Sequence, residues 1–419
     1  MSVREDVRRV VITGLGVVAP NGCDVERFWD SICRGESAAA PVTRFDTSPF
    51  PTKIACEVRD LEVGKYLEAR KARRFALATR FGLCAAVMAM RDAGIDLKDH
   101  NPDRAGLVEG TSIEGMDSSY QTQLTLLQKG YKSISPFALI NAYCGGVSAE
   151  IALELGIKGH VVNLSTGSAS GNDAIGLALD MIARDDADIM LAGGAETPLL
   201  TPLWGAFCLT KVMTTANAAP ARAMRPFDQA RDGFVLGEGA AFLVLEELAH
   251  ALGRGARIYA ELAGHGRSCE AHHSVTPHPE GVGVRRAIEK ALRRARMDAT
   301  QIQYVNAHGT ATPANDEAET AGIKTAFGAH ARRLAVSSTK PVTGHLLGAS
   351  GAVESVVTTL AIHRQVIPPT LNLATPLADC DLDYVPGVAR PYPLTAAANL
   401  NSGFGGKNSC LIFREYRRA

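Results

Sequence analysis

The stretch Asn163-Leu164-Ser165-Thr166-Gly167-Ser168-Ala169-Ser170-Gly171 decides how this chain is read. Its apolar start (Val161, Val162, Leu164) predicts a buried β-strand that passes through a turn of small residues into a helix over 172–184. A strand that turns sharply into a helix exposes one side chain at the helix N-terminus. There the free backbone N–H groups and the positive end of the helix dipole favour an anion. Ser168 sits on that seat. Taken alone, a serine at this place is as readily a helix cap as a nucleophile.

Three further polar motifs stand at strand ends. Asn306-Ala307-His308-Gly309-Thr310-Ala311-Thr312-Pro313 aims an imidazole from a sheet edge, although a single histidine of this kind is more often structural. Ser338-Thr339-Lys340-Pro341-Val342-Thr343-Gly344-His345 places a lysine and a second histidine before a small-residue helix that carries Glu354. Asn401-Ser402-Gly403-Phe404-Gly405-Gly406 reads as a mobile loop with a bulky lid, or as a hairpin turn. Together, a nucleophile seat, two histidines, a Lys–Glu pair and a glycine loop are the parts of acyl chemistry. No metal is expected: His308 and His345 lack ligand-spaced companions, and His272 and His273 are adjacent. Gly14-Leu15-Gly16 lacks the third glycine and the downstream acid of a dinucleotide fingerprint.

Composition sets the frame. At 419 residues the chain can bury a large core and divide into two or three domains. Lys plus Arg and Asp plus Glu number 44 each, so neither a nucleic-acid coat nor a polybasic membrane anchor is indicated. No apolar run reaches the length of a membrane span, and the charged start, Met1 to Arg9, shows no signal peptide. The nine cysteines are scattered, without a Cys-x-x-Cys pair, as expected of reduced cytoplasmic thiols. The class expected is a soluble cytoplasmic α/β protein.

Short β-branched runs (Arg9–Ile12, Ala105–Glu109, His160–Leu164, Ile189–Ala192, Ala241–Leu245, then Ile258–Gly264, Tyr304–Ala307, Leu334–Ser337, Ala397–Asn401, Ser409–Glu415) alternate with helical patterns at 69–93, 171–184, 281–295 and 348–363. The alternation predicts mainly parallel sheets covered on both faces. The halves also rhyme, Leu164 leading to Ser168 and Val305 to His308. This suggests a duplication with its boundary near Arg254–Arg257, giving units 1–255 and 256–419. Two long excursions, Gly115–Asn141 and Trp204–Arg231, are expected to cover a site or form a subunit contact.

With these motifs assembled, the chain resembles the β-ketoacyl-acyl carrier protein synthases, the elongating condensing enzymes of fatty acid and type II polyketide synthesis. The resemblance spans essentially the whole chain, including Val11-Ile12-Thr13-Gly14-Leu15-Gly16-Val17-Val18 and Arg231-Asp232-Gly233-Phe234-Val235-Leu236-Gly237-Glu238-Gly239. It implies the thiolase fold, a duplicated α-β-α-β-α sandwich, and decarboxylative Claisen condensation of malonyl-acyl carrier protein. It puts the family's cysteine nucleophile at Ser168, the malonyl-binding histidines at His308 and His345, and the lysine at Lys340 beside Glu354. The N–H groups of residue 168 and Phe404 would form the oxyanion hole, with Phe404 as acyl-pocket gate. Thr310 and Thr312 would bind the pantetheine arm, Gly403 and Gly405 would also bind substrate, and Arg70, Lys71, Arg73 and Arg74 would dock the carrier protein on a basic helix face. No cofactor is implied beyond the phosphopantetheine that arrives on the carrier. The implied partners are that carrier and a second subunit, identical or of the chain-length-factor type. Thr166-Gly167 and Ser402, where fatty acid enzymes usually have Thr-Ala and Phe, lean toward the polyketide branch.

Serine in place of cysteine impairs this chemistry. A helix dipole worth about 1 kcal/mol moves a pKa by less than one unit, too little to ionise a hydroxyl. An acyl ester is also a poorer electrophile than a thioester. Three readings follow: a condensing enzyme whose cysteine has been replaced to trap an acyl or carrier complex, a natural serine-dependent acyltransferase, and a non-catalytic chain-length-factor-type partner. Retention of His308, Lys340, His345 and Glu354 speaks against the last.

Overall fold

The computed structural model describes residues 7–417. Ten strands form one continuous sheet: β1 (Val10–Val18), β2 (Ala105–Gly110), β3 (Val161–Leu164), β4 (Ile189–Glu196), β5 (Gly239–Glu247), β6 (Ala260–Cys269), β7 (Tyr304–Asn306), β8 (Ala335–Ser337), β9 (Ala396–Gly403) and β10 (Lys407–Arg414). Their order across the sheet is β8-β7-β9-β10-β6-β1-β5-β4-β2-β3. Read outward from the centre, each half has the same sequence of strands: first, fifth, fourth, second, third. In each half the second, third and fourth strands are parallel, and the fifth runs antiparallel to both its neighbours. The halves join where Val10–Ile12 pairs antiparallel with Ala260–Leu262.

Six helices cover the sheet: α1 (Leu77–Ala93), α2 (Gly146–Leu155), α3 (Ser170–Ala183), α4 (Val282–Ala295), α5 (Pro313–Phe327) and α6 (Ser350–Arg364). α3 and α6 touch each other and strands of both halves, so the two half-sheets face one another across this helix pair. α6 is buried continuously from Ser350 to Ile362, which is why its sequence shows no polar stripe. Ile175, Leu179, Val353, Val357 and Leu360 pack there against Ile12, Leu245, Leu262 and Leu411, each such side chain contributing roughly 1.5–3 kcal/mol on burial. α4, by contrast, turns Val284, Ala287, Ile288, Ala291 and Leu292 inward and its arginines to solvent, an outer-layer pattern. α1 and α2 cover the first half, and α4 and α5 the second. The result is five layers, α-β-α-β-α, the arrangement of the thiolase fold.

The structure corrects several expectations. Only four of the nine strand pairings in the sheet are parallel, because apolar runs carry no direction and β9 returns as β10 through a hairpin. β3 is not buried: it is the outermost strand, with Val161 exposed. The helix expected over 69–93 is broken into Ala69–Ala72 and α1. The Asn141 side chain holds the break open, accepting from Ala76 N at 3.2 Å and donating to Arg74 O at 2.9 Å. The excursions contain regular structure, notably the helices Met116–Lys129 and Thr201–Thr210. Among the described residues, no helix is long and apolar enough to cross a membrane.

Candidate active site

The turn after β3 is drawn tight by Ser170, whose Oγ accepts from Thr166 N at 2.9 Å and donates toward Thr111 O or Gly167 O. Gly167 lies in the left-handed region at φ 66°, where a side chain would be strained. Helix α3 starts only at Ser170, with Ala169 as its N-cap. Ser168 is therefore not the cap; its Oγ lies 3.0 Å from His345 Nε2.

His345 is fixed from behind. Its Nδ1 lies 2.9 Å from Ser350 Oγ, which also accepts the Leu346 N–H at 2.9 Å. For the Ser350 proton, Nδ1 is the acceptor in reach among the described residues, so Nδ1 accepts and Nε2 carries the hydrogen. His345 thus presents a donor to Ser168. Its ring meets Phe234 edge-on at 5.0 Å and His308 at 5.3 Å. The turn carrying His308 is held by Glu319, which accepts from His308 N at 2.6 Å and Gly309 N at 2.8 Å.

Lys340 is fully buried and donates to Glu354 Oε1 at 2.5 Å, while Asn401 Nδ2 donates to Glu354 Oε2 at 2.6 Å. Burial, and then the charge of Lys340, hold both histidines well below the usual imidazole range. Both rings are therefore neutral at pH 7. Burial pushes the Glu354 carboxyl up, and Lys340 pulls it back. Glu319 is pushed up to about 7 by burial, against its two backbone N–H donors.

Phe404 follows β9 and stands over this group, 45% exposed, its ring 6.4 Å from that of Phe207. A Cβ on Gly403 would lie 2.6 Å from Thr166 O and 3.0 Å from Ser168 N, so only glycine lets the loop approach the serine this closely. Ser168, His308, His345 and Phe404 line one cavity of about 550 Å³. Ile113, Leu203, Phe207, Phe234 and Leu347 give it an apolar wall that belongs to a larger apolar cluster. Thr310 and Thr312, whose hydroxyls lie 2.9 Å apart, supply polar lining with Asn315 and Asn408. Gly403 lines the cavity; Gly405 does not, and its N–H is bonded to Ser274 O at 2.8 Å.

The four basic residues do not share one helix face. Arg70 and Lys71 lie in the short helix, Arg73 and Arg74 in the turn after it, and all four are exposed. Lys71 pairs with Glu154 at 2.9 Å, and Arg74 lies 5.3 Å from the Phe137 ring centre.

Sequence reading missed Ser350, Glu319 and the apolar wall. The wall residues Phe207 and Val212 do fall within the excursion expected to cover a site. It also missed Asp173 in the first turn of α3, 3.2 Å from the buried His265 of β6.

Comparison with known proteins fits this geometry. Residues 7–251 match the model of the β-ketoacyl synthase N-terminal domain, and residues 259–374 that of the C-terminal domain. The chain is 44% identical to 3-oxoacyl-[acyl-carrier-protein] synthase 2 of Coxiella burnetii over 97% of this chain and 98% of that one. It is 40% identical to the protein of that name from Synechocystis sp., over 98% and 99%. Among solved structures, the ishigamide ketosynthase/chain length factor superposes with TM-score 0.92 at 35% identity, covering 98% of this chain and all of that chain. A type II PKS acyl-carrier protein in complex with its ketosynthase bound to the hexaketide gives TM-score 0.91 at 35% identity, over 98% and 100%. With both domain models matched along most of its length, the chain belongs to the β-ketoacyl synthase family.

Proposed function

We propose that this chain is a ketosynthase of fatty acid or type II polyketide synthesis that decarboxylates malonyl-acyl carrier protein and, with serine at position 168, condenses poorly. The observation that carries this reading is the pair of neutral histidines, His308 and His345, lining one cavity with Ser168. In decarboxylation the bond between the malonyl α-carbon and its carboxylate breaks, carbon dioxide leaves, and the electron pair passes to the thioester oxygen as an enolate. Two imidazole N–H groups donate to that oxygen where its charge develops. In condensation the α-carbon attacks the acyl carbonyl held on residue 168, and the side chain departs as the new carbon–carbon bond forms. The N–H groups of residue 168 and Phe404 stabilise the tetrahedral oxyanion. A donor of this kind is worth about 2.7–4 kcal/mol.

Thr310 and Thr312 hold the pantetheine arm in this reading, Gly403 and Gly405 also bind substrate, and Arg70, Lys71, Arg73 and Arg74 meet the acidic carrier. In this reading the second subunit adds to the free edge of β3, where Val161 is exposed. The repeated strand order supports residues 1–255 and 256–419 as duplicated halves of one enzyme, which in this reading works in the cytoplasm. The Ser168–His345 contact favours a second reading, a serine-dependent acyltransferase, which requires His345 Nε2 to act as a base. The Ser350 contact opposes it. The test is carbon dioxide release from malonyl-carrier protein: the protein releases it, and His308→Ala abolishes release. Undiminished release by His308→Ala removes that role, and no release from the unaltered chain overturns the reading.

A further inference from the structure

Positive charge in the second half of the chain gathers on one helix. α4 and its C-cap carry Arg285, Arg286, Lys290, Arg293, Arg294 and Arg296 against a single acid, Glu289. This stands out in a chain whose Lys plus Arg and Asp plus Glu number 44 each. Two of the arginines are engaged: Arg294 bonds Asp180, and Arg285 lies 3.9 Å from Glu289. Arg286, Lys290 and Arg293 are exposed and form no ion pair among the described residues. Spaced i, i+4 and i+7, they share the face opposite the buried Val284, Ala287, Ile288 and Ala291. Lys290 Nζ donates to Arg267 O at 2.8 Å, which sets the exposed Arg267 of β6 beside them.

This basic face adjoins the mouth of the cavity. α4 begins where the connection from β6 ends, and Val275, Thr276 and Pro277 of that connection line the cavity with Glu270. Gly283, in the first turn of α4, is fitted against the same rim. A Cβ there would overlap Asn408 and Glu270, both of which line the cavity, and Ser268 Oγ donates to Gly283 O at 2.6 Å. Arg286 follows Gly283 by roughly 5 Å along the helix axis and Arg293 by roughly 15 Å. Two acids stand on the connection, Glu280 and Glu270, the latter accepting from His278 N at 2.8 Å and Asn408 Nδ2 at 3.2 Å. Arg267, Arg286, Lys290 and Arg293 outnumber them. Arg70, Lys71, Arg73 and Arg74, by contrast, do not line the cavity. We infer that this face of α4 is a docking surface for the acidic acyl carrier protein, whose arm enters the cavity over the β6–α4 connection. This deepens the ketosynthase reading and rests on it for the identity of the partner. Charge complementarity favours that partner, because unpaired cations beside an opening steer an acidic body toward it and raise its on-rate by roughly 10–1,000-fold.

The experiment measures binding of a fluorescein-labelled bacterial holo-acyl carrier protein, and carbon dioxide release from malonyl-carrier protein and from malonyl-pantetheine. Three forms are compared: the unaltered chain, Arg286→Glu with Lys290→Glu and Arg293→Glu, and Arg70→Glu with Lys71→Glu. Reversal on α4 is expected to weaken carrier binding about tenfold or more and to flatten its dependence on salt. It should lower kcat/KM for malonyl-carrier protein about tenfold more than for malonyl-pantetheine, which brings no protein to the surface. Glutamine at the same three positions serves as a second variant, with a smaller loss in the same direction. Carrier binding unchanged by reversal on α4, or lost only on reversal of Arg70 and Lys71, overturns the inference and leaves the ketosynthase reading standing. Binding of duplex DNA or anionic vesicles through α4, by a chain that releases carbon dioxide from malonyl-pantetheine and does not bind the carrier, also overturns it. Absence of both carrier binding and carbon dioxide release overturns both.

Discussion

Replacing Ser168 by cysteine has an effect whose size follows from the seat. A free thiol titrates near 8.5. The N-terminus of α3 contributes about 0.3–1 kcal/mol toward an anion. A hydrogen bond from His345 Nε2, placed 3.0 Å from the serine oxygen, adds about 1.5–3 kcal/mol toward a charged acceptor. Together these amount to roughly 2–4 kcal/mol, or about 1.5–3 pH units at 1.36 kcal/mol per unit. One group acts in opposition. Burial raises the Asp173 pKa, but His265, Ser409 and Thr166 together more than reverse this and hold it below the usual carboxylate range. An ionised carboxylate therefore lies in the first turn of the same helix, which places the thiol of the Ser168→Cys protein toward the upper end of about 5.5–7.

The same shift applied to a hydroxyl, which starts far above a thiol and close to water, leaves it almost entirely protonated at neutral pH. Cysteine at this seat thus offers more than ~10^5-fold more anion than serine. The prediction is that Ser168→Cys gains rapid acylation and condensation with malonyl-carrier protein. Iodoacetamide alkylation of residue 168 should titrate at least one pH unit below a free thiol. The assays are intact-mass kinetics of acylation, product analysis with labelled malonyl groups, and the alkylation pH profile against the Ser168 protein, which corrects for the exposed Cys144 and Cys269. A midpoint at or above about 8.5, or condensation no faster than with serine, refutes the reasoning.

Two further outcomes concern buried charge. Lys340→Met leaves Glu354 without its cation and should destabilise the protein by about 3–5 kcal/mol, whereas Lys340→Met with Glu354→Leu should recover much of that; equal losses in urea unfolding would show that the pair is not coupled. Glu109 is fully buried beside Glu114 and Glu196, and burial and then these neighbours hold its carboxyl well above the usual range. A carboxyl raised in the fold stabilises while protonated, and that stability is lost as pH rises from the unfolded value through the folded one. Glu196, pushed up to about 7 by burial, acts in the same direction. Thermal stability should therefore fall between pH 5 and 8, and Glu109→Gln should flatten that fall; an unchanged slope in scanning calorimetry across this window would remove Glu109 from the account.

The parts legible in the sequence were those that chemistry confines to short motifs. Ser168, His308, Lys340, His345 and Glu354 each stand at a strand end or early in a helix, and the fold brings Ser168, His308, His345 and Phe404 onto one cavity. What the sequence could not display was partnership across distance. Ser350 looks like any small residue in Gly348-Ala349-Ser350-Gly351, and it matters only because the turn at Leu347–Ala349 folds it back on His345. Asn141 breaks a helix far earlier in the chain through two hydrogen bonds that no local pattern foretells. Strand direction was likewise hidden, since Gly239–Glu247 and Ile189–Glu196 are equally apolar and yet antiparallel. Val161 read as core because its neighbours are apolar; only the strand order puts it on an edge.

The contact between Ser168 and His345 has the length of a serine–histidine pair but not its chemistry. A base must hold a free lone pair on Nε2 and must then accept a positive charge. Ser350 puts the hydrogen on Nε2, and reversing that leaves the Ser350 proton without an acceptor at a buried site. The fully buried Lys340 disfavours the imidazolium that proton transfer from Ser168 would create, and its charge also disfavours one on His308. His345, the side chain in hydrogen-bond contact with the serine among the described residues, is therefore arranged to donate, which suits a thiolate, an enolate or an oxyanion and does nothing to deprotonate a hydroxyl. In the proposed reading, the same surroundings that serve malonyl decarboxylation leave Ser168 a poor nucleophile. In the proposed ketosynthase reading, any impairment of condensation therefore traces to the atom at position 168, because the donor at His345 suits a thiolate better than a hydroxyl.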